Sequence, residues 1–204
     1  MNTIKLISEQ IVPFKIVCIG RNYIEHIREL GNEVPDNMVI FVKPNSSLST
    51  QLRSVIDEPI HYEGEICFMI KQGKLNAVGF GLDLTKRGLQ SRLKEKKLPW
   101  ERAKAFDGAA CFSEFVPIGD TPIESLSLQL EINGTETQRG GYPLMIHKPE
   151  DILKEISSFM TLNDGDIIMT GTPKGVGVIK PQDRFNGKIL SAGITLVSQA
   201  WVAQ

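Results

Sequence analysis

The sequence predicts an α+β fold that is rich in β-strands, with a barrel-like or rolled sheet and a few short helices. Three observations predict this class: short apolar runs bounded by turn residues recur along the chain, only three segments have a helical pattern, and the second half is mostly strand and hairpin. This pattern favours a rolled sheet over a doubly wound one. No repeat or linker divides the chain, so we expect a single domain over residues 1–204, with residues 1–15 as an N-terminal extension.

The first half of the chain predicts four strands and two helices. The helix over Tyr23–Leu30 is stopped by Gly31, and the helix over Thr85–Lys97 is ended by Pro99. Two glycines inside the fourth strand, at positions 79 and 81, indicate that other groups approach its backbone closely. The four strands are predicted at Phe14–Gly20, Met38–Val42 (closed by Lys43-Pro44), Glu65–Ile70 and Ala77–Leu84.

The second half predicts strands, hairpins and one helix. Apolar and polar residues alternate over Leu126–Ile132, and Asn133-Gly134 is a strong hairpin signal. Pro149–Met160 predicts a helix with proline near its first turn, and Asp166–Thr170 predicts a strand. Asn186-Gly187 predicts the start of the last hairpin, which ends in Ile194–Val197.

Composition excludes several classes of function. The chain has 204 residues, 41% of them hydrophobic, and a formal net charge of −1, so no basic field points to nucleic acid or an anionic membrane surface. No apolar run approaches the roughly 20 residues of a membrane helix, and no secretory signal is visible at the N-terminus. The three cysteines are widely spaced and flanked by apolar residues, which indicates buried free thiols in a reducing compartment. We expect a cytoplasmic protein.

Two carboxylates lead into a buried strand in the stretch HYEGEICFMI, residues 61–70. On a strand, Glu63 and Glu65 project the same way with Cα atoms about 7 Å apart. An isolated pair of this kind most often faces water at a sheet edge. However, Asp83 ends the next apolar run, and three carboxylates converge if the two strands are neighbours. Such a cluster prefers Mg²⁺ or Mn²⁺ to zinc, and no Cys/His spacing competes.

Several motifs occur in a fixed order along the chain. They are Glu63-Gly-Glu65, Gly81-Leu-Asp83-Leu-Thr85-x-Arg87-x-x-Gln90, Pro99-Trp100-x-x-Ala-Lys104-x-Phe-Asp107 and Thr170-Gly-Thr-Pro-Lys-Gly-Val-Gly177. Together they resemble the fumarylacetoacetate hydrolase superfamily. The element Gly20-Arg-Asn-Tyr23, with His26 and Glu29, resembles its acylpyruvate hydrolase and oxaloacetate decarboxylase branch. The resemblance implies a mixed β-roll of that family's C-terminal domain type, a homodimer, and Mg²⁺ or Mn²⁺ bound by Glu63, Glu65 and Asp83.

The resemblance also implies roles for six further residues. His26 and Glu29 share a helix face, and this spacing is equally compatible with a surface ion pair. The resemblance implies that residues 21–31 form a lid, which places the pair near a catalytic water. Lys104 becomes the cation that faces substrate oxygens. The implied substrate-binding residues are Arg21, Gln90 and Thr172.

Two positions near these motifs need explanation. The family commonly has Asp at the position occupied here by Gly88, so the start of the following helix is in question. His61 precedes the two glutamates. It is more simply interpreted as a partly buried, hydrogen-bonded histidine than as a residue that supports the metal ligands.

The implied activity is a Mg²⁺-dependent cleavage of small β-keto or β-diketo acids through a metal-bound pyruvate enolate, either acylpyruvate hydrolysis or oxaloacetate decarboxylation. The alternative is an isomerase, tautomerase or decarboxylase of the same superfamily that acts on oxaloacetate or an aromatic-catabolism intermediate. A more remote alternative is a non-catalytic protein that binds a divalent cation. Because three carboxylates leave coordination positions open, they favour catalysis on a small anionic keto acid over a structural metal site.

Overall fold

The computed structural model describes residues 1–204 and contains seventeen strands and four α-helices. The helices are α1 Ile24–Glu29, α2 Arg87–Glu95, α3 Glu101–Lys104 and α4 Pro149–Phe159. The strands of the first half are β1 Ile4–Leu6, β2 Glu9–Ile11, β3 Lys15–Gly20, β4 Val39–Pro44, β5 Val55–Ile56, β6 Glu58–Tyr62, β7 Gly64–Lys71, β8 Lys74–Asp83 and β9 Thr85–Lys86. Those of the second half are β10 Ala110–Phe112, β11 Val116–Pro117, β12 Leu126–Ile132, β13 Thr135–Gly141, β14 Ile167–Met169, β15 Gly177–Val178, β16 Arg184–Ser191 and β17 Ile194–Val202.

A curled seven-stranded sheet forms the centre of the fold. Its order is β10-β8-β7-β14-β3-β4, with β11 also paired to β8, and only the β14–β3 pair is parallel. A four-stranded antiparallel sheet, β13-β12-β16-β17, packs against it. The predicted β-rich, rolled α+β class is therefore confirmed.

Both faces of the central sheet are buried, because side chains alternate along its strands. On β7, Phe68 joins the apolar core that is shared with the four-stranded sheet, while Cys67 and Met69 pack on the other face. The α4 helix covers a third cluster through Ile152 and Ile156. The three cysteines are buried and unpaired, as predicted. No helix in the chain has both the length and the apolar character needed to cross a membrane.

The N-terminal residues form the β1–β2 hairpin, which is joined to the rest of the protein. Ile7 donates a backbone hydrogen bond to the Phe115 carbonyl, and Phe115 donates one to the Lys5 carbonyl. Ile4 is buried in the second apolar cluster. This hairpin therefore packs as part of the structure.

Two of the boundaries predicted in the first half were wrong, and one short helix was missed. β4 continues through Lys43 to Pro44, which sits at the end of an edge strand where its missing N–H breaks no ladder bond. Thr85 is not helical because it pairs with His61 of β6, so α2 begins only at Arg87. A short fourth helix, α3, was not predicted, since four residues are too few to show a helical period.

The last hairpin turns at a different place from the one predicted. β16 runs straight through Asn186-Gly187, and the turn lies at Ala192-Gly193, with φ of 48° and 84°. Gly187 is needed for packing, because a Cβ there would overlap the Phe80 ring. The hairpin predicted at Asn133-Gly134 is confirmed, with φ of 52° and 81°.

We expect Gly187→Ala to destabilise the protein by about 1–3 kcal/mol, because the added methyl group overpacks the core against the Phe80 ring. Urea unfolding of the variant and of wild type measures the difference. Phe80→Leu is the partner change that makes room for the methyl group. The double variant should lose less stability than the sum of the two single changes. Strict additivity would contradict the steric explanation.

Candidate functional site

Strands β7 and β8 bring the three predicted metal ligands together. They pair antiparallel with Glu65 opposite Gly81, and Asp83 donates its backbone N–H to the Glu63 carbonyl at 2.9 Å. Gly81 allows this approach because a Cβ there would overlap Cys67 and Phe112. One carboxylate oxygen from each of Glu63, Glu65 and Asp83 lies within 4.8 Å of the other two, and all three residues are buried.

Two buried lysines neutralise part of this cluster. Lys104 Nζ, on α3, donates to Glu63 Oε2 and Asp83 Oδ2 at 2.8 Å each and to Thr85 Oγ1 at 2.7 Å. Burial acts to lower the Lys104 pKa, but the charges of Asp83 and Glu63 outweigh it and raise that pKa. Lys43 Nζ lies 2.8 Å from Asp83 Oδ1, outside hydrogen-bond geometry, and donates to the Lys104 carbonyl. The cluster therefore holds two fixed cations.

The two glutamates have opposite electrostatic environments. Burial acts to raise the Glu63 pKa, but Lys104 and Arg87, which both contact this carboxylate, hold it well below its usual range. Burial and the charges of Asp83 and Glu63 raise the Glu65 pKa well above its usual range. Its hydrogen-bond donor is the backbone N–H of Gly171, at 2.6 Å. Glu65 is thus the carboxylate whose charge the protein leaves least compensated.

These donors suit a hard divalent cation. Carboxylate oxygens are the ligands that Mg²⁺ and Mn²⁺ prefer, and an added dication would relieve the repulsion that raises the Glu65 pKa. Cys18 and Cys67 lie close to the cluster, but burial, followed by the charge of Asp83 for Cys18 and of Glu65 for Cys67, raises their thiol pKa values. Thiols with raised pKa values are poor metal ligands, since the thiolate is the ligand form. The three carboxylates are therefore the residues that could hold a metal ion.

The predicted histidine–glutamate pair lies on α1. His26 Nδ1 is 3.2 Å from Glu29 Oε2, and Glu29 Oε1 accepts the Gly175 backbone N–H at 3.0 Å. His26 is buried, so the pair is not the exposed surface ion pair that spacing alone also allowed. In the tautomer that donates from Nδ1 to Glu29, Nε2 is the nitrogen left to accept a proton.

Asn22 anchors the start of this segment to the carboxylate sheet. Its side-chain amide donates to the Thr170 carbonyl at 2.8 Å and to the His147 carbonyl at 3.0 Å. Its Oδ1 accepts the His147 backbone N–H at 2.7 Å. Because Gly171 follows Thr170 and binds Glu65, the α1 segment and the carboxylate cluster share a rigid connection.

The predicted substrate-binding residues differ in which of their hydrogen-bonding groups are already used within the protein. Gln90 accepts a hydrogen bond from Arg87 at 2.9 Å, and its amide nitrogen donates to no protein group. The Thr172 hydroxyl donates to the Gly64 carbonyl at 2.9 Å and accepts from Gln138 at 2.8 Å, so its own proton is already used. Arg21 adopts a left-handed backbone conformation with φ of 57°. Their substrate contacts stay predictions.

One small cavity of about 40 Å³ unites these residues. Eight of the nine predicted site residues line it, and the ninth, Glu29, reaches it through His26. Ile27 and Leu30 of the α1 segment form part of its wall, so α1 lies directly over the carboxylates. The cavity therefore combines a histidine, three carboxylates and several cations.

Comparison with known proteins agrees with this geometry. The family model of the fumarylacetoacetate (FAA) hydrolase C-terminal domain matches residues 15–199. The chain belongs to this family.

Individual relatives of the FAA hydrolase family resemble the whole chain. Oxaloacetate tautomerase YcgM of Escherichia coli (strain K12) is 36% identical over 204 residues, covering 88% of this chain and 92% of that protein. The mitochondrial oxaloacetate decarboxylase of Dictyostelium discoideum is 38% identical over 200 residues, covering 89% and 88%. The crystal structure of fumarylpyruvate hydrolase from Pseudomonas aeruginosa, in complex with Mn²⁺ and pyruvate, is 27% identical with a TM-score of 0.87, covering 100% and 96%.

This member of the FAA hydrolase family starts α2 without the aspartate that Gly88 replaces. Glu58, on the neighbouring strand β6, accepts the Leu89 backbone N–H at 3.0 Å and the Arg92 guanidinium at 3.2 Å. A Cβ at Gly88 would lie 3.3 Å from the Glu58 carboxylate. A carboxylate from another strand thus caps the helix N-terminus, where negative charge is stabilising.

Sequence reasoning missed Lys43 and Lys94. Lys43 follows the apolar residues Phe41 and Val42, and a lysine in such a strand could have indicated a buried partner. Lys94 was not predicted as a site residue, yet it lines the cavity. His61, by contrast, does not line it; burial and then Arg87 lower the His61 pKa, and no role at the site follows.

Proposed function

We propose that this protein is a divalent-metal-dependent enzyme that interconverts the keto and enol forms of oxaloacetate. The observation that carries the proposal is that the His26–Glu29 pair and the three carboxylates line the same cavity. Enolisation needs a base for the C3 proton and positive charge near the C2 oxygen, and the cavity supplies both. The similarity to oxaloacetate tautomerase YcgM supports the choice of substrate.

Glu63, Glu65 and Asp83 would hold a divalent metal ion, Mg²⁺ or Mn²⁺, which would supply Lewis-acid stabilisation of the negative charge that develops on the substrate. Buried Lys104, held at 2.8 Å from Glu63 and Asp83, adds positive charge beside the position where the enolate oxygen develops. Gln90 offers its unused amide N–H to a substrate oxygen.

His26 moves the proton at C3. In the enolising direction its Nε2 accepts that proton, and in the reverse direction it returns the proton, while the C2 oxygen exchanges its own proton with water. Glu29 keeps Nδ1 protonated and stabilises the imidazolium that forms. Glu29 is itself fixed by the Gly175 N–H, so the base has one orientation.

Carbon–carbon cleavage that yields pyruvate is the second candidate. It is favoured by the similarity to a fumarylpyruvate hydrolase that was solved with pyruvate and to an oxaloacetate decarboxylase. Hydrolysis would use His26 to activate a water, whereas decarboxylation of oxaloacetate needs no base. All three reactions pass through an enolate, so one cavity could favour any of them.

The test follows the decay of enol-oxaloacetate by ultraviolet absorbance and pyruvate formation in the same sample. We expect the protein with Mg²⁺ or Mn²⁺ to accelerate enol decay well beyond any pyruvate release, and EDTA to remove the acceleration. Acceleration that survives EDTA would contradict the metal requirement. Pyruvate release as fast as enol loss would favour cleavage, and no acceleration of either process in protein shown to bind metal would reject both tautomerisation and decarboxylation of oxaloacetate.

A further inference from the structure

Two cations that line the cavity have no anionic partner. Lys104 and Arg87 both contact carboxylates of the cluster. Arg21 and Lys94 line the same cavity, and neither forms an ion pair within 4.0 Å. Lys43 pairs with Asp83, Arg87 with Glu63, and Lys104 with both, whereas Arg21 and Lys94 have no such partner and are free to pair with an anionic ligand.

Lys94 is held in an unfavourable position for a free ammonium group. It lies in the last turn of α2, partly buried, with Nζ 4.9 Å from the centroid of the Trp100 ring and no hydrogen-bond acceptor for its side chain. Burial, followed by the charges of Arg21, Arg87 and Lys104, lowers the Lys94 pKa to about 8.

The Arg21 side chain, which also lines the cavity, is held by a hydrogen bond to a neighbouring residue. Its guanidinium donates to the Asn32 side chain at 3.1 Å, while its buried Nε has no partner. Its backbone is left-handed, with φ of 57°, a conformation that is uncommon for residues other than glycine. Arg21 and Lys94 line the same cavity, and the Arg21 charge contributes to the lowering of the Lys94 pKa.

We propose that Lys94 and Arg21 together bind the second carboxylate of a dicarboxylic keto acid, and that Lys94 makes the enzyme selective for dicarboxylates. The assignment of the keto-acid head to the carboxylate cluster rests on the proposed function. The distal carboxylate would supply the missing counter-charge to both cations and accept the free N–H donors. Monocarboxylic keto acids would leave both cations unpaired.

Binding of non-reactive analogues tests this subsite without requiring turnover. Malate and lactate have the carbon skeletons of oxaloacetate and pyruvate with a hydroxyl in place of the keto group, so they differ in the second carboxylate and cannot enolise. Calorimetry with the Mg²⁺-loaded protein should show tighter binding of malate than of lactate. In Lys94→Gln, malate affinity should fall about tenfold, the typical effect of losing a charged hydrogen bond, while lactate and Mg²⁺ affinities stay unchanged.

Lys96→Gln is the matched control, because it removes the same charge from the same helix end at an exposed position outside the cavity. It should retain the malate preference, and Lys94→Arg should restore part of it. If Lys94→Gln keeps the full preference, the subsite is wrong. Wild type that binds both ligands equally, or neither of them, would overturn the subsite, whereas the enol-decay assay tests the proposed function separately.

The pH dependence provides a second readout. The charged groups that face Lys94 are Arg21, Arg87, Lys104 and Glu63, and His26 lines the same cavity. Because the Lys94 pKa is lowered to about 8, the ammonium is charged below that pH and loses its proton above it. The malate-to-lactate affinity ratio should therefore fall as pH rises through 8 in wild type and stay flat in Lys94→Gln. A ratio that falls equally in both proteins would overturn the assignment to Lys94.

Discussion

Glu65→Gln is expected to reduce kcat/KM for oxaloacetate by about a thousandfold or more, since several kcal/mol of Lewis-acid stabilisation are lost and each ~1.4 kcal/mol is tenfold. The variant keeps an oxygen for the Gly171 N–H but removes the least compensated charge of the cluster. Mg²⁺ affinity, measured by calorimetry, should fall together with activity. Glu155→Gln, an exposed change on α4, is the charge-matched control and should alter neither quantity.

The same change should affect the stability of metal-free protein in a pH-dependent way. Folding raises the Glu65 pKa, so between its usual value and the raised one the folded state holds a proton that the unfolded state has lost. Wild-type stability relative to the variant therefore falls as pH rises through this window, by up to about 1.4 kcal/mol per pH unit. Urea unfolding in EDTA from pH 5 to 8 measures this trend. A pH-independent difference between the two proteins would contradict the raised pKa.

His26→Ala is expected to lower the rate of keto–enol interconversion by about 10²–10⁴-fold, the usual contribution of a positioned general base. Metal affinity should remain, because His26 is not among the carboxylate ligands. Hydrolysis of an acylpyruvate should collapse equally, whereas residual oxaloacetate decarboxylation should survive at least in part, because loss of CO₂ needs no base. Separate assays of enol decay and pyruvate release make this comparison.

Glu29→Gln is the companion variant for the base. It keeps a group of the same shape beside Nδ1 but removes the charge that stabilises the imidazolium. We expect a smaller loss than in His26→Ala and a shift of the pH–rate profile of kcat/KM. Equal loss of tautomerisation and decarboxylation in His26→Ala would contradict the role given to this pair, since only the first reaction needs the proton transfer.

Local patterns predicted much of the fold. The alternation over Leu126–Ile132 matches strand β12 at both ends, because one face of that strand is buried and the other is not. Asn133-Gly134 forms the predicted turn, since both residues accept positive φ. The same dipeptide at Asn186-Gly187 gave a wrong turn prediction, because Gly187 packs against the Phe80 ring of another sheet. The spacing of residues along the sequence contains no information on that contact.

The motifs also identified the residues that surround the cavity, but not how they interact. Glu63 and Glu65 were identified because alternate residues of a strand share a face, and Asp83 because it ends the next apolar run. Lys104 was expected to face substrate, yet in the structure its ammonium bridges Glu63 and Asp83, a contact between segments 21 and 41 residues apart.

The sequence by itself determined the β-rich class, the ordered motifs of the FAA hydrolase family, and the three acids with the His26–Glu29 pair. Only the tertiary structure decided that Glu65 is the least compensated carboxylate, that Glu58 caps the N-terminus of α2, and that Lys94 lines the cavity. The physical reason is that pKa values, helix caps and burial depend on which distant side chains meet. These contacts depend on the curl of the sheet and on the packing of α1 and α2 beside its carboxylates. Periodicity along the chain specifies neither the curl nor the packing.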